Sequence, residues 1–349
     1  MNETGVDVLA VAPSDDLLYL LGFSPTADER ACMLLLGAED SVFVVPSLNA
    51  EQSREALPSL AFSTWHDAEG PERALREAAA PFAGARHVAV GATMRADFLL
   101  LLQATLEGAE FVSADGVVAE LRMRKEPAEL EALQASAQTA DAAMEAALAA
   151  CTPGASELDI ADAAAAAFRQ AGADEVSFTS VASGPNGAFP HHHSGPRRLQ
   201  AGDAITIDLG GRRGGYASDL TRVAHIGPPT ERYTNVRETV ERAVQVGLAA
   251  ARPGATCAEV DRAARGVIEA AGFGEYFIHR TGHGLGLTGH EPPSIMAGEE
   301  RELVPGMVFS IEPGIYLAGE FGVRLEEIVT VTEGGCRVFS TLPRDVHLV

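Results

Sequence analysis

Along the first third of the chain, short apolar runs alternate with amphipathic stretches. Residues 6–11, 41–46 and 87–91 have strand character, and residues 71–80 and 95–106 repeat apolar positions at helical spacing. That alternation predicts a small α/β domain. A long amphipathic helix is then expected to begin near Lys125-Glu-Pro127, with proline in the first turn, where its missing N–H is no loss. Leu130, Leu133, Ala137, Met144 and Leu148 mark its buried stripe. The domain boundary is expected between about Val112 and Arg124, dividing the chain into residues 1–118 and 119–349.

The second domain reads as an internal duplication. Pro153-Gly-Ala-Ser156 and Pro253-Gly-Ala-Thr256 stand 100 residues apart. Each opens a helix with a capping-box pattern, Ser156 with Asp159 and Thr256 with Glu259. Both helices end on Ala-Gly, at Gly172 and Gly272, and Glu175 matches Glu275. Each half is therefore expected to run helix, Pro-Gly turn, helix, β-hairpin.

One phrase occurs twice in the expected hairpins. Gly202-Asp-Ala-Ile-Thr-Ile-Asp-Leu-Gly210 returns 104 positions later as Gly306-Met-Val-Phe-Ser-Ile-Glu-Pro-Gly314. Asp208 and Glu312 each stand in an otherwise apolar strand. A further carboxylate follows on each return strand: Asp219 in the first copy, Glu326 or Glu327 in the second. Alternation puts Arg324 and Glu326 on one side and Glu327 on the other, without saying which side matters. Burying an unpaired carboxylate is prohibitively costly, so four carboxylates converging across a pseudo-twofold axis call for cations between them.

Composition narrows the partners. The 349 residues carry 26 basic and 49 acidic side chains, a net charge of −23. That argues against nucleic acid and anionic membranes, which need a basic footprint. No stretch approaches the length of an apolar membrane span, and the start has no basic-then-apolar leader. The four cysteines are widely spaced and lack a Cys-x-x-Cys pair, which predicts reduced thiols in a cytoplasmic protein.

Four carboxylates with one imidazole make a hard, oxygen-rich ligand set, suited to Mn²⁺, Co²⁺ or Zn²⁺ rather than Cu⁺ or an iron–sulfur cluster. The imidazole candidate is His283 in Thr281-Gly-His-Gly-Leu-Gly286. Two ions about 3.5–4 Å apart activate water at neutral pH against a polarised carbonyl. His279, His290 and His191 cluster around these motifs and are candidate site residues, whereas His192 and His193 are read as structural. Gly284-x-Gly-x-x-Gly289 imitates a dinucleotide fingerprint, but no helix or βαβ unit follows it.

At these residues the chain resembles the pita-bread-fold metallopeptidases, specifically the Xaa-Pro peptidases aminopeptidase P and prolidase. The phrases that carry the resemblance run in family order from about Leu121 to the end. They are Val181-Ala-Ser-Gly-Pro-Asn-Gly-Ala-Phe-Pro-His191, Ile207-Asp-Leu-Gly210, Ser218-Asp-Leu-Thr-Arg222, Thr281-Gly-His-Gly-Leu-Gly-Leu287, His290-Glu-Pro-Pro293, Ile311-Glu-Pro-Gly-Ile-Tyr316 and Val323-Arg-Leu-Glu-Glu327. The resemblance implies an α/β (α+β) chain with a creatinase/prolidase-like first domain and a duplicated pita-bread catalytic domain. It implies two divalent ions, Mn²⁺ foremost with Co²⁺ or Zn²⁺ as alternatives, held by Asp208, Asp219, His283, Glu312 and Glu326. Glu312 would also be the general base and His290 would stabilise the tetrahedral intermediate. His191 and His279 would line the proline side of the scissile bond, and Arg324 would hold a carboxylate ligand. The implied substrates are peptides with proline in second position, and the implied assembly is a homodimer. An Xaa-Pro bond has no N–H and a rigid ring on its leaving side, so it needs a site of this kind.

Two positions depart from the family pattern. Thr288-Gly289 replaces the usual pair before His290, and Ser294 stands where archaeal-type prolidases tend to carry an arginine able to grip a dipeptide's carboxylate. The serine favours an aminopeptidase P-like activity on longer peptides, with Xaa-Pro dipeptidase as the alternative. Creatinase shares the fold without the metal set, methionine aminopeptidase normally lacks the first domain, and non-catalytic relatives typically lose ligands that are complete here.

Overall fold

All four residues of β1 (Val8–Val11) are buried, but in two directions. Val8 and Ala10 enter one apolar cluster, Leu9 and Val11 another, as the strand's period of two demands. The computed structural model describes residues 4–349, and the chain divides into two compact units between Arg122 and Met123. In the first unit β1 is followed by α1 (Asp15–Leu21), β2 (Met33–Leu36), β3 (Ser41–Pro46), α2 (Ser47–Ala56) and β4 (Ala61–Trp65). Then come α3 (Glu72–Ala79), β5 (His87–Val90), α4 (Ala96–Thr105), β6 (Glu110–Ser113) and α5 (Val118–Met123).

These strands form one sheet in the order β4-β3-β2-β1-β5-β6, with β1–β2 and β2–β3 antiparallel and the other pairs parallel. Ala74, Leu75, Phe98 and Leu102 of α3 and α4 join the cluster on one face, and Leu17 and Ala50 of α1 and α2 join the other. A sheet covered on both faces has strands that read as continuous apolar runs. The strand β2, Met-Leu-Leu-Leu, therefore carries no alternation to announce it.

The second unit opens with α6 (Pro127–Ala150) and α7 (Glu157–Gln170), then β7 (Glu175–Ser183), β8 (Ala204–Arg213) and β9 (Tyr216–His225). Its second half has α8 (Glu231–Ala250), α9 (Cys257–Ala270), β10 (Gly282–Gly284), β11 (Glu291–Ile295) and β12 (Val308–Ile311). It ends with β13 (Gly314–Leu317), β14 (Phe321–Arg324), β15 (Glu327–Thr332), β16 (Gly335–Val338) and β17 (His347–Leu348).

The duplication is visible in local bonding. Ser156 N–H donates to Asp159 and Asp159 N–H returns to Ser156 Oγ, at 2.8 and 3.1 Å; Thr256 and Glu259 repeat this at 2.9 and 3.2 Å. Gly172 and Gly272 close the two helices with φ of 86° and 81°. The second hairpin is not the simple one expected. Strand β12 pairs with β15, and a separate two-stranded ribbon, β13–β14, is inserted between them.

The helices α6 and α7 cover one face of the β8–β9 sheet, where Ile205, Ile207 and Leu209 are fully buried among Met144, Ile160 and Phe168. Each such side chain contributes about 1.5–3 kcal/mol. A one-residue slip would turn all three outward, so the register of β8 is strongly held. Phe309 and Ile311 of β12 do the same against α8 and α9. Among the described residues no helix is long and apolar enough to cross a membrane.

Candidate metal centre

With Ile207 and Leu209 turned toward the helices, Asp208 between them must face the other way. The antiparallel register sets Asp208 opposite Thr221 of β9, so Asp219 and Thr221 share that face. In the other half Ile311 enters the core and Glu312 follows on the opposite side, with Ser310 two positions before it. His283 lies in β10, pinned by its N–H donating to Ser310 Oγ at 2.9 Å. Gly282 beside it lies so close to Ser310 that a Cβ would stand 1.8 Å from that residue's carbonyl oxygen, so only glycine fits.

Three overlapping groups of potential ligand atoms result, each within 4.8 Å: Asp208, Asp219 and Glu326; His283, Glu312 and Glu326; and Asp219, His283 and His290. All five residues expected as ligands thus converge. Glu326, in the connection between β14 and β15, belongs to two of the groups. Its neighbour Glu327 points away into a buried ion network with Arg222 at 2.9 Å and Arg344 at 2.8 Å.

A web of hydrogen bonds holds this cluster. Arg324 donates from Nη2 to Asp208 Oδ2 at 2.7 Å, from Nε to Thr221 Oγ1 at 3.2 Å and from Nη1 to the Tyr316 hydroxyl at 2.9 Å. Thr221 Oγ1 lies 3.1 Å from Asp208 Oδ1 and 2.8 Å from Glu326 Oε2. His279 Nδ1 is 2.7 Å from the Arg280 carbonyl, which can only accept, so that nitrogen carries the proton. Nε2 of neutral His279 then accepts from Tyr316 at 2.8 Å. Thr221 and Tyr316 were not singled out in the sequence. Face alternation from Asp219 points to the first, while the second lies in the quoted phrase ending Gly-Ile-Tyr316.

The same reasoning applies to His283. Its Nδ1 faces the Gly284 carbonyl at 3.1 Å, so its Nε2 is turned toward Glu312 Oε1 at 3.2 Å and Asp219 Oδ2 at 3.7 Å. Lone pairs facing one another in this way require a proton or a metal ion between them. Glu326 Oε1 is buried with no hydrogen-bond partner among the described residues, a costly state for a carboxylate oxygen.

Electrostatics agree with the geometry. Burial, then the neighbouring carboxylates, push Asp219 and Glu326 well above the usual carboxylate range. Burial also pushes Glu312 up, but the hydrogen bond and charge of His283, with Arg324, outweigh it and hold the group at about 2. His290 is held down at about 4 by burial first, then by His283 and Arg280. Its ring lies 3.9 Å from that of His283, centroid to centroid, and His191 is near enough to act on it electrostatically. His192 does something else: Nε2 sits 2.9 Å from the fully buried carboxylate of Glu157.

Residues 131–333 match metallopeptidase family M24, and residues 1–124 match the creatinase/prolidase N-terminal domain. The chain belongs to metallopeptidase family M24, with the pita-bread fold in its second unit, and is a hydrolase. Membership implies divalent metal ions, which the carboxylate and imidazole groups could hold. The crystal structure of dipeptidase PepE from Mycobacterium ulcerans is similar, with a TM-score of 0.94 and 39% identity, covering 100% of this chain and 95% of that one. The Xaa-Pro dipeptidase of Pyrococcus horikoshii is 30% identical over 99% of this chain and 96% of its own length. An X-Pro aminopeptidase from Thermotoga maritima is similar at 28% identity and a TM-score of 0.83, over 99% of this chain and 98% of that one.

Proposed function

We propose that this chain is an Xaa-Pro dipeptidase dependent on two divalent ions, with Mn²⁺ foremost and Co²⁺ or Zn²⁺ as alternatives. Asp208, Asp219, His283, Glu312 and Glu326 would hold the ions, and Arg324 and Thr221 would fix the carboxylates. The observation that carries the metal reading is the unpartnered Glu326 Oε1 in a buried cluster whose carboxylates cannot all ionise unaided. Bound there, the ions would supply Lewis acidity toward the peptide carbonyl and toward water.

The chain's own groups would divide the remaining work. Glu312, ionised at neutral pH, accepts the proton of the attacking water. His290, neutral at the same pH, offers a hydrogen bond to the developing oxyanion. His191 and His279 line the proline side, with His279 oriented by Tyr316.

The relatives favour a dipeptidase over the aminopeptidase P activity suggested by Ser294. The dipeptidase PepE and Xaa-Pro dipeptidase relatives are 39% and 30% identical, against 28% for the X-Pro aminopeptidase. The reading includes a cytoplasmic setting, supported by four free thiols, and a homodimer, supported by the resemblance. The test compares Ala-Pro with Ala-Pro-Gly-Gly at equal concentration on the Mn²⁺-loaded chain. The dipeptide is expected to be hydrolysed faster, and a clear preference for the tetrapeptide restores the aminopeptidase P reading.

A further inference from the structure

A dipeptide Xaa-Pro differs chemically from the start of a longer peptide in one group. Where the longer chain has a neutral peptide carbonyl, the dipeptide has a carboxylate on the proline ring. That carboxylate carbon is two covalent bonds, about 2.5 Å, from the scissile nitrogen. A chain that selects dipeptides therefore needs a cation immediately beside its reacting groups, and one not already neutralised by a protein carboxylate.

The basic side chains around the centre differ in this respect. Arg324 is committed to Asp208 at 2.7 Å, and Arg265 to Asp261 at 3.0 Å. Arg280 has no carboxylate partner among the described residues; its hydrogen bond runs from Nη1 to the Ser294 hydroxyl at 3.1 Å. Ser294 is paired directly with His283 across β10 and β11, so the two side chains lie on the same face of the sheet. The guanidinium is thus tethered on the face that carries the cluster, one residue after His279, and its charge is felt at His290.

We infer that Arg280 is the group that recognises the free carboxylate of the dipeptide, with Ser294 orienting its guanidinium. This rests on the dipeptidase reading. It also explains how a serine at position 294 is compatible with that reading: the positive charge comes from the neighbouring strand end. A planar guanidinium forms paired hydrogen bonds to a carboxylate and only weaker ones to an amide.

The experiment measures kcat and KM for Ala-Pro and for Ala-Pro amide with the Mn²⁺-loaded full chain, Arg280→Lys and Arg280→Met. Metal content is checked in each. Losing a charged hydrogen bond to the substrate is expected to lower the acid-to-amide ratio of kcat/KM roughly ten- to a hundred-fold in Arg280→Met, mainly through KM. Arg280→Lys, which keeps the charge without the fork, is expected to fall between. An unchanged ratio in Arg280→Met with full metal content overturns the inference, as does an unchanged ratio in Arg280→Lys if the methionine variant loses its metal. A wild-type chain that leaves Ala-Pro intact overturns the dipeptidase reading instead.

Discussion

His290 stands at the edge of the cluster in a double position. Its ring lies against His283, and one of its nitrogens is close enough to Asp219 and His283 to complete a metal group. The proposed role is different: a neutral imidazole offering its N–H to the oxyanion. The two roles separate in His290→Ala. Removing one such donor costs about 10²–10³ in kcat, so a loss of this size is expected with metal content, by elemental analysis, unchanged. A lost metal equivalent would make His290 a ligand. At this scale the sequence was legible where chemistry contradicts its surroundings, as with Asp208 between Ile207 and Leu209. Spacing alone was silent between the adjacent Glu326 and Glu327, and it was the family resemblance that chose Glu326. In the structure the register of β15 against β12 and the positions of Arg222 and Arg344 separate them.

At the scale of elements, α7 does more than cover β8. Glu157 in its first turn is fully buried and gathers a distant segment around one carboxylate. It accepts from Ser183 N–H and Oγ at 2.8 and 2.6 Å, from Asn186 at 2.9 Å and from Gly195 N–H at 3.1 Å, with His192 at 2.9 Å. His191 lies inside the segment so held. Burial alone would raise this carboxyl, but the hydrogen bonds outweigh it and leave it below the ordinary value of 4.5. A depressed carboxyl stabilises the fold above its unfolded value, and that contribution is lost as pH falls through the folded value. Glu157→Gln places an amide N–H₂ among donors and is expected to cost about 2–4 kcal/mol at pH 7. In urea unfolding the gap to wild type should shrink below about pH 4; a gap constant from pH 7 to pH 3.5 would refute the account. The capping boxes were readable because their partners are three residues apart. Glu157 was not, because its partners are 26 to 38 residues away. The β13–β14 ribbon was hidden for a similar reason, since nothing local distinguishes it from a continuation of one hairpin.

Across the whole chain, every expected ligand lies in the unit from Met123 to Val349, and each half of its duplication contributes. Asp208 and Asp219 come from the β8–β9 hairpin, whereas His283, Glu312 and Glu326 come from β10 and the strands around β12 and β15. Clustered carboxylates repel one another, so without cations the two halves are held against that repulsion by apolar contacts between them, such as Ala217 in one cluster with Leu285, Val308 and Ile328. Cations that bind only the folded chain stabilise it by mass action, about 2.7 kcal/mol at a hundred times Kd. For a unit of this size that is a rise of about 5–10 °C in midpoint. Chelation is therefore expected to abolish hydrolysis of Ala-Pro, lower the melting midpoint by that amount and speed hydrogen exchange in β8, β9 and β15. The sheet of β1, β2 and β5, which has its own two apolar clusters and none of these ligands, should keep its protection. Mn²⁺ or Co²⁺ should reverse all three changes. Activity that survives chelation would end the metal mechanism. Exchange that rises equally in both sheets would mean the cations do not act through the duplicated halves.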